Sequence, residues 1–343
     1  MKKNLMVENY PHERALHCET GSARNLFRFY GKHFSEAMIF GIGSGIDFIH
    51  FPIPLLNNLE CPLFRSLTTN VFKNFSKRMG IKYKLLTFRD ENKAMEKLDS
   101  LLESEIPVGL VVEVLFLPYF REISGDWHFN GHQIVVVGKE GDDYIVSDTE
   151  WYLPSESYNK ISSADLKKAR FPKDLFSLKG AMFYIESFTD TIDMKQAIVK
   201  GIKKTCSRMI DNPLPFIGYK GIYYLSKRMR SYIKKYGKIK ALESIKWQYT
   251  ISEVAGTGGS GYRFLYATFL KEAAEYLKDE ELVELAKEMR VVGDSWQQLA
   301  LEVTRYIKSE GANDINVLAD IVMSIAPKEE QVFRKLKQWV KKQ

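Results

Sequence analysis

The stretch His17-Cys18-Glu19-Thr20-Gly21-Ser22-Ala23-Arg24-Asn25-Leu26-Phe27-Arg28-Phe29-Tyr30-Gly31 decides how the chain is read. Ala23, Leu26, Phe27 and Tyr30 recur at helical spacing, so a helix is expected from about Cys18 to Tyr30, with Gly31 as its stop. Cys18 then opens that helix. A helix N-terminus carries partial positive charge and unpaired N–H groups. Both favour the thiolate, which is the reactive form of cysteine, and the same N–H groups can hold an oxyanion. The bland alternative for a single cysteine is a small buried packing residue.

A nucleophilic thiol needs a base, and the base needs an orienting group. Outward from the helix, His132 opens an apolar run to Gly138, just after Asn130-Gly131. Gly141-Asp142-Asp143 reads as a turn, and Tyr144 to Asp148 reads as the returning strand. A hairpin brings the residues at its open end side by side, so His132 and Asp148 can meet, with the carboxylate fixing the imidazole tautomer. Read separately, an edge histidine and a turn aspartate need no function. Read with Cys18, the three compose a Cys-His-Asp site. His17 adjoins Cys18, but helix neighbours point apart. His128, with Trp127, is expected in a loop over the site. Cys61 precedes Pro62 in an irregular stretch, Cys206 lies in a basic helical stretch, and His33 and His50 have no evident partner.

The remaining pattern places helices first and strands after. Helices are expected from Leu67 to Met79 and from Glu91 to Leu102, the latter capped by Asp90. Strands are expected at Tyr83–Phe88, Val108–Leu117 and Ala181–Ile185. From about Asp193 the pattern turns helical, with strong periodicity over Tyr262–Leu277, Glu280–Met289 and Trp296–Ile307. The expected architecture is α+β over residues 1–190, followed by an α-helical domain over 191–343.

Composition sets the outer limits. The chain has 343 residues, 45% hydrophobic and 27% charged, enough for about two globular domains. Three widely spaced cysteines fit neither a disulfide framework nor a zinc knuckle, and no metal site is expected. No apolar run reaches the roughly 18–20 residues of a membrane helix, and no apolar region follows Lys2-Lys3, so a cytoplasmic protein is expected. Net charge is +7, and fourteen Lys/Arg stand between Lys195 and Lys246 against only Asp211 and Glu243. That stretch favours acidic partners or is a solvated helical face; no nucleic-acid motif accompanies it. Gly41-Ile42-Gly43-Ser44-Gly45 lacks the lysine of a phosphate loop, so no nucleotide is expected there. It and Thr257-Gly258-Gly259-Ser260-Gly261 are candidates for tight backbone near a substrate, or simple connections.

Several of these stretches resemble one family. His17-Cys18-Glu19-Thr20 with Asn25-Leu26, then Ser35-Glu36-Ala37-Met38-Ile39-Phe40-Gly41-Ile42-Gly43-Ser44-Gly45, resemble the N-terminal domain of butirosin biosynthesis protein H. Gly131-His132-Gln133, Val135-Val136-Val137-Gly138 and Val146-Ser147-Asp148-Thr149 continue the likeness. Gly256 to Arg263, with Phe269-Leu270-Lys271-Glu272-Ala273, resembles the helical domain that follows in that family. The resemblance implies a papain-like fold, similar to bacteriocin-processing cysteine peptidases, with Cys18 as nucleophile, His132 as base and Asp148 as orienter. It implies an acyltransferase that moves an aminoacyl group from an acyl carrier protein to an amine acceptor, in antibiotic or peptide natural-product biosynthesis. The substrate would ride on the carrier's phosphopantetheine, with no cofactor of the chain's own. An acidic carrier protein would suit the basic stretch, and a homo-oligomer is left open. A hydrolase with the same triad and a non-catalytic scaffold are the rival readings. Secondary substrate contacts are expected from Gly43, Ser44, Trp127, His128, Gly258, Gly259 and Arg263. Papain-like enzymes usually carry a glutamine several residues before the cysteine. Here those positions hold Pro11, His12 and Glu13, which leaves the Cys18 N–H as the first oxyanion donor and His12 as a candidate for the second.

Overall fold

The computed structural model describes residues 4–51, 59–121, 128–150, 152–153, 157–173, 178–189 and 191–343. The chain divides into two compact units. One holds Met1–Ile39 and Met79–Ile192, and the other holds Phe40–Arg78 and Asp193–Gln343. The second break falls beside the boundary expected from the sequence. Residues 40–78, placed with the first domain by the sequence reading, pack instead with the helical residues.

The first unit is built on an antiparallel sheet. Its strands are β1 (Leu5–Met6), β4 (Lys82–Leu86), β5 (Val108–Val112), β6 (His132–Glu140), β7 (Asp143–Ser147), β8 (Asn159–Ser162) and β9 (Met182–Ser187). Among the described residues the order is β4-β9-β5-β6-β7-β8, with β1 also paired to β6. Every residue of β5 and the first seven of β6 are buried. Such unbroken apolar runs belong to strands covered on both faces, whereas a half-exposed strand would alternate. Helix α1 (Cys18–Phe29) packs on β6, and α4 (Glu91–Glu103) and α5 (Ser163–Arg170) pack on β5. Ala23, Leu26 and Phe27 of α1 are fully buried. Asp90 caps α4, accepting from the backbone N–H groups of Asn92 and Lys93.

The expected strand Val108–Leu117 ends early, at Val112. Two 3-10 turns follow, Val114–Phe116 and Pro118–Phe120. The buried Glu113 carboxylate accepts from the N–H groups of Leu115 and Phe129, which turns the chain, and Pro118 has no N–H to extend a ladder.

The second unit carries a hairpin of β2 (Ile46–His50) and β3 (Pro62–Arg65), with helix α3 (Asn70–Arg78). Six helices follow: α6 (Met194–Ile210), α7 (Gly218–Met229), α8 (Tyr232–Tyr249), α9 (Arg263–Leu277), α10 (Glu280–Lys308) and α11 (Ile315–Lys342). Helix α8 is broken at Gly237, which has φ 79°. The two periodic stretches Glu280–Met289 and Trp296–Ile307 fall in one helix, in which Gly293 is a packing position: a Cβ there would sit 2.6 Å from the Phe264 ring. Helix α2 (Glu36–Ile42) runs from the first unit into the second. Among the described residues, no helix is long and apolar enough to cross a membrane.

Candidate active site

Cys18 is the first residue of α1 and is 7% exposed. Its N-cap, His17, has extended backbone and no capping bond from its own side chain. The Glu36 carboxylate braces the turn from outside: it accepts from the N–H of Leu16 at 3.0 Å, the N–H of His17 at 3.3 Å and the Thr20 hydroxyl at 2.9 Å. Asn25 and Arg24 hold the carbonyls of Glu13 and Arg14, so the chain leading into Cys18 is tied back to the helix that Cys18 starts.

His132 is the first residue of β6, and Asp148 follows the last residue of β7. Both are buried, and His132 Nε2 lies 2.8 Å from Asp148 Oδ2. Cys18 is close enough to the imidazole to add to its electrostatics. Burial alone would push His132 down, but the Asp148 charge and hydrogen bond, joined by Cys18, raise it well above the usual histidine value.

The carboxylate is itself anchored. Asp148 Oδ2 also accepts from the Tyr119 hydroxyl at 3.2 Å, and Oδ1 accepts from the Glu150 N–H at 3.1 Å. Burial and the neighbouring Asp148 charge push the Tyr119 phenol well up, so it stays a donor. The Phe120 ring stands edge-on to His132, with centroids 5.1 Å apart. Tyr119, Phe120 and Glu36 have no signal in sequence spacing. They reach the site through a turn and a helix start that local periodicity does not mark.

The other sequence candidates fall elsewhere. Trp127 lies outside the described residues. His128 is exposed and faces the Glu113 carboxylate, 3.9 Å away. Gly43, Ser44, Gly258, Gly259 and Arg263 belong to the second unit. Ser44 is buried, donates to the Gly201 carbonyl at 2.9 Å and accepts from Arg78 at 2.7 Å. At the neighbouring Gly41 the close approach is packing, since a Cβ would collide with the Phe269 ring at 1.9 Å. Arg263 is fully buried, pairs with Glu329, and lies over the rings of Phe64 and Trp296. These contacts give Ser44 and Arg263 structural partners inside their own unit. Gly258 and Gly259, with φ of 65° and 84°, open a run of positive-φ residues that ends at Tyr262. Of the fourteen cations between Lys195 and Lys246, Arg208 pairs with Asp47, Arg228 and Lys235 with Glu60, and Arg230 with Asp320, so that stretch is partly internal.

Cys18 at a helix N-terminus, His132 at the start of a sheet strand and Asp148 bonded to that histidine thus form one buried cluster in the first unit. Residues 17–149 match the family model for butirosin biosynthesis protein H, N-terminal, and residues 164–336, half of the chain, match a domain of unknown function (DUF4872). The chain belongs to the family defined by that domain of unknown function, preceded by the segment that matches the butirosin biosynthesis protein H N-terminal model. A solved structure described as a C39-like peptidase from Bacillus anthracis is similar over 55% of this chain and 100% of its own, at 14% identity and a TM-score of 0.37. No curated protein matches the chain.

Proposed function

We infer that the chain is a cysteine-dependent acyltransferase, taking an acyl or aminoacyl group from a carrier-protein thioester and giving it to an amine. The observation that carries this reading is the buried His132–Asp148 hydrogen bond, with Cys18 at the start of α1 and felt by the imidazole. The Cys18 thiolate adds to the thioester carbonyl, and its new C–S bond forms as the carbonyl π pair moves to oxygen. The oxyanion collapses, the carrier's C–S bond breaks, and protonated His132 gives its proton to the leaving thiolate. Acyl-Cys18 remains. An amine then adds to the acyl carbon, neutral His132 removes its proton, and the Cys18 thiolate leaves. Exchange between thiols is nearly isoenergetic, so the chain's task is positioning and proton transfer. The description of the family model matched by residues 17–149 supports a place in antibiotic or peptide natural-product biosynthesis, and the basic stretch from Lys195 suits an acidic carrier.

Intact-mass measurement after mixing with acyl-pantetheine thioesters tests the reading. An increment equal to the acyl group, absent in Cys18→Ala and discharged by added amines, is the expected result. An increment lost only to water would make the chain a hydrolase of the same site. No increment with any donor would leave the scaffold reading.

A further inference from the structure

We propose that Glu36 is a positioning residue for acyl transfer: its carboxylate sets the turn that enters α1, and so aims the Cys18 N–H at the oxyanion formed when Cys18 is acylated. The proposal rests on the acyl-transfer reading above and adds to it a residue outside the Cys-His-Asp cluster. A preorganised N–H stabilises a developing oxyanion only if it already points at the place where the charge appears. His12, the other donor suggested by the sequence, bonds Ser147 Oγ at 2.8 Å. Neighbouring residues of an extended chain point to opposite sides, so Ser147 turns away from Asp148. The aim of the Cys18 N–H therefore matters all the more.

A helix start usually carries its own cap. A Ser, Thr, Asp or Asn there puts a side-chain oxygen on the N–H groups two and three residues further on. That oxygen would stand at the helix mouth, where an oxyanion has to sit. Here the N-cap is His17, and its side chain makes no capping bond. The turn is fixed from a second helix instead. Glu36 Oε1 accepts from the His17 N–H at 3.3 Å and from the Thr20 hydroxyl at 2.9 Å, while Oε2 accepts from the Leu16 N–H at 3.0 Å. One oxygen thus grips the residue before Cys18 and the residue two after it. Neither oxygen takes the Cys18 N–H itself. The turn is held while the carboxylate stays out of the mouth of α1.

Glu36 is itself fixed. It is the first residue of α2, and Ser35 caps that helix, its hydroxyl accepting from the Met38 N–H at 3.0 Å. Arg24 of α1 stands 3.6 Å from Glu36 Oε2 and also donates to the carbonyls of Glu13 and Arg14. The Glu36 side chain is 11% exposed, so water competes little for its oxygens. The brace joins two helix starts, and Cys18 lies inside the span it holds.

The test separates aim from reactivity. Alkylation of Cys18 by iodoacetamide needs a nucleophilic sulfur and forms no oxyanion, whereas acylation by an acyl-pantetheine thioester forms one. Glu36→Ala is expected to slow single-turnover acylation about 10- to 100-fold, while Cys18 alkylation stays within about threefold. Glu36→Gln keeps the oxygen that His17 and Thr20 share, and is expected to acylate within about threefold of wild type. Glu36→Asp keeps the charge but is one methylene short, and is expected to lose about 10-fold. Equal acylation rates in wild type and Glu36→Ala would overturn the proposal. So would a parallel fall in alkylation, which marks a merely structural brace. If Glu36→Ala does not fold, the order of the other two variants decides. Asp as fast as Gln, or faster, would overturn the proposal, because charge and not aim would then govern the rate. A wild type that is alkylated at Cys18 but never acylated removes the acyl-transfer reading itself, and this proposal with it.

Discussion

The chain holds two sets of cysteine, histidine and carboxylate, one in each unit, and they are opposite in character. In the first unit, Cys18 opens a helix, His132 lies close enough to feel it, and Asp148 holds the imidazole with no arginine on the carboxylate in its described contacts. In the second, Glu60 lies 3.1 Å from His50 Nε2, and Cys61 follows it in sequence. Here Glu60 also takes a hydrogen-bonded ion pair from Arg228, which neutralises it. Burial therefore wins at His50 and lowers it, where Asp148 reverses the same burial at His132. Burial pushes the Cys61 thiol up to about 12, and the thiol donates to the Pro62 carbonyl. The same three residue types thus stand in two opposite electrostatic settings, of which the acyl-transfer reading needs the first. What decides is whether the carboxylate's charge is spent on the histidine or on an arginine.

The largest expected effect follows from that contrast. His132→Ala should lower single-turnover acylation on the order of 10⁴-fold, as loss of a triad member does, while His50→Ala leaves the rate per folded molecule unchanged. Equal losses in both would break the comparison. In the second unit the large effect is on stability. Arg263 and Glu329 are both fully buried, and Trp296 Nε1 also donates to Glu329 at 2.9 Å. Glu329→Ala strands a buried guanidinium and should cost about 3–5 kcal/mol in denaturant unfolding.

The pH profile sharpens the contrast further. Acylation needs protonated His132 to release the carrier thiol, so its alkaline limb should fall well above the usual histidine value near 6.5. Asp148→Ala removes what raises His132 and should move that limb down, with a loss of about 100-fold near neutrality. The sign for stability is the same: the ionised pair His132–Asp148 contributes fully below about 6.5, and its share is lost as pH rises through the raised value. The smallest effect is that of Tyr119→Phe, which removes one of the hydrogen bonds on Asp148. It should slow acylation up to about 5-fold, the worth of roughly 1 kcal/mol, with no change in fold.

How much of this was legible depended on distance along the chain. The helix opening at Cys18 follows from the spacing of Ala23, Leu26 and Phe27, and the hairpin joining His132 to Asp148 follows from the turn at Gly141. Both are local. The fate of residues 40–78 is not local, because β2 and β3 pack with helices that begin some 150 residues later. Arg263 looked available for substrate because its partner, Glu329, lies 66 residues away. Tyr119 lies just past the apolar run Val108–Leu117 that reads as strand, and it comes to Asp148 where a buried glutamate and a proline turn the chain.

The most direct measurement is the rate of iodoacetamide labelling at each of the three cysteines in the native protein near neutral pH, mapped by peptide mass. Burial pushes both Cys61 and Cys206 up to about 12, so neither should react on the time scale of Cys18. The account predicts fast labelling at Cys18 alone, lost or strongly slowed in His132→Ala. Labelling of Cys18 no faster than of Cys61 or Cys206, or unchanged by removal of His132, would contradict it.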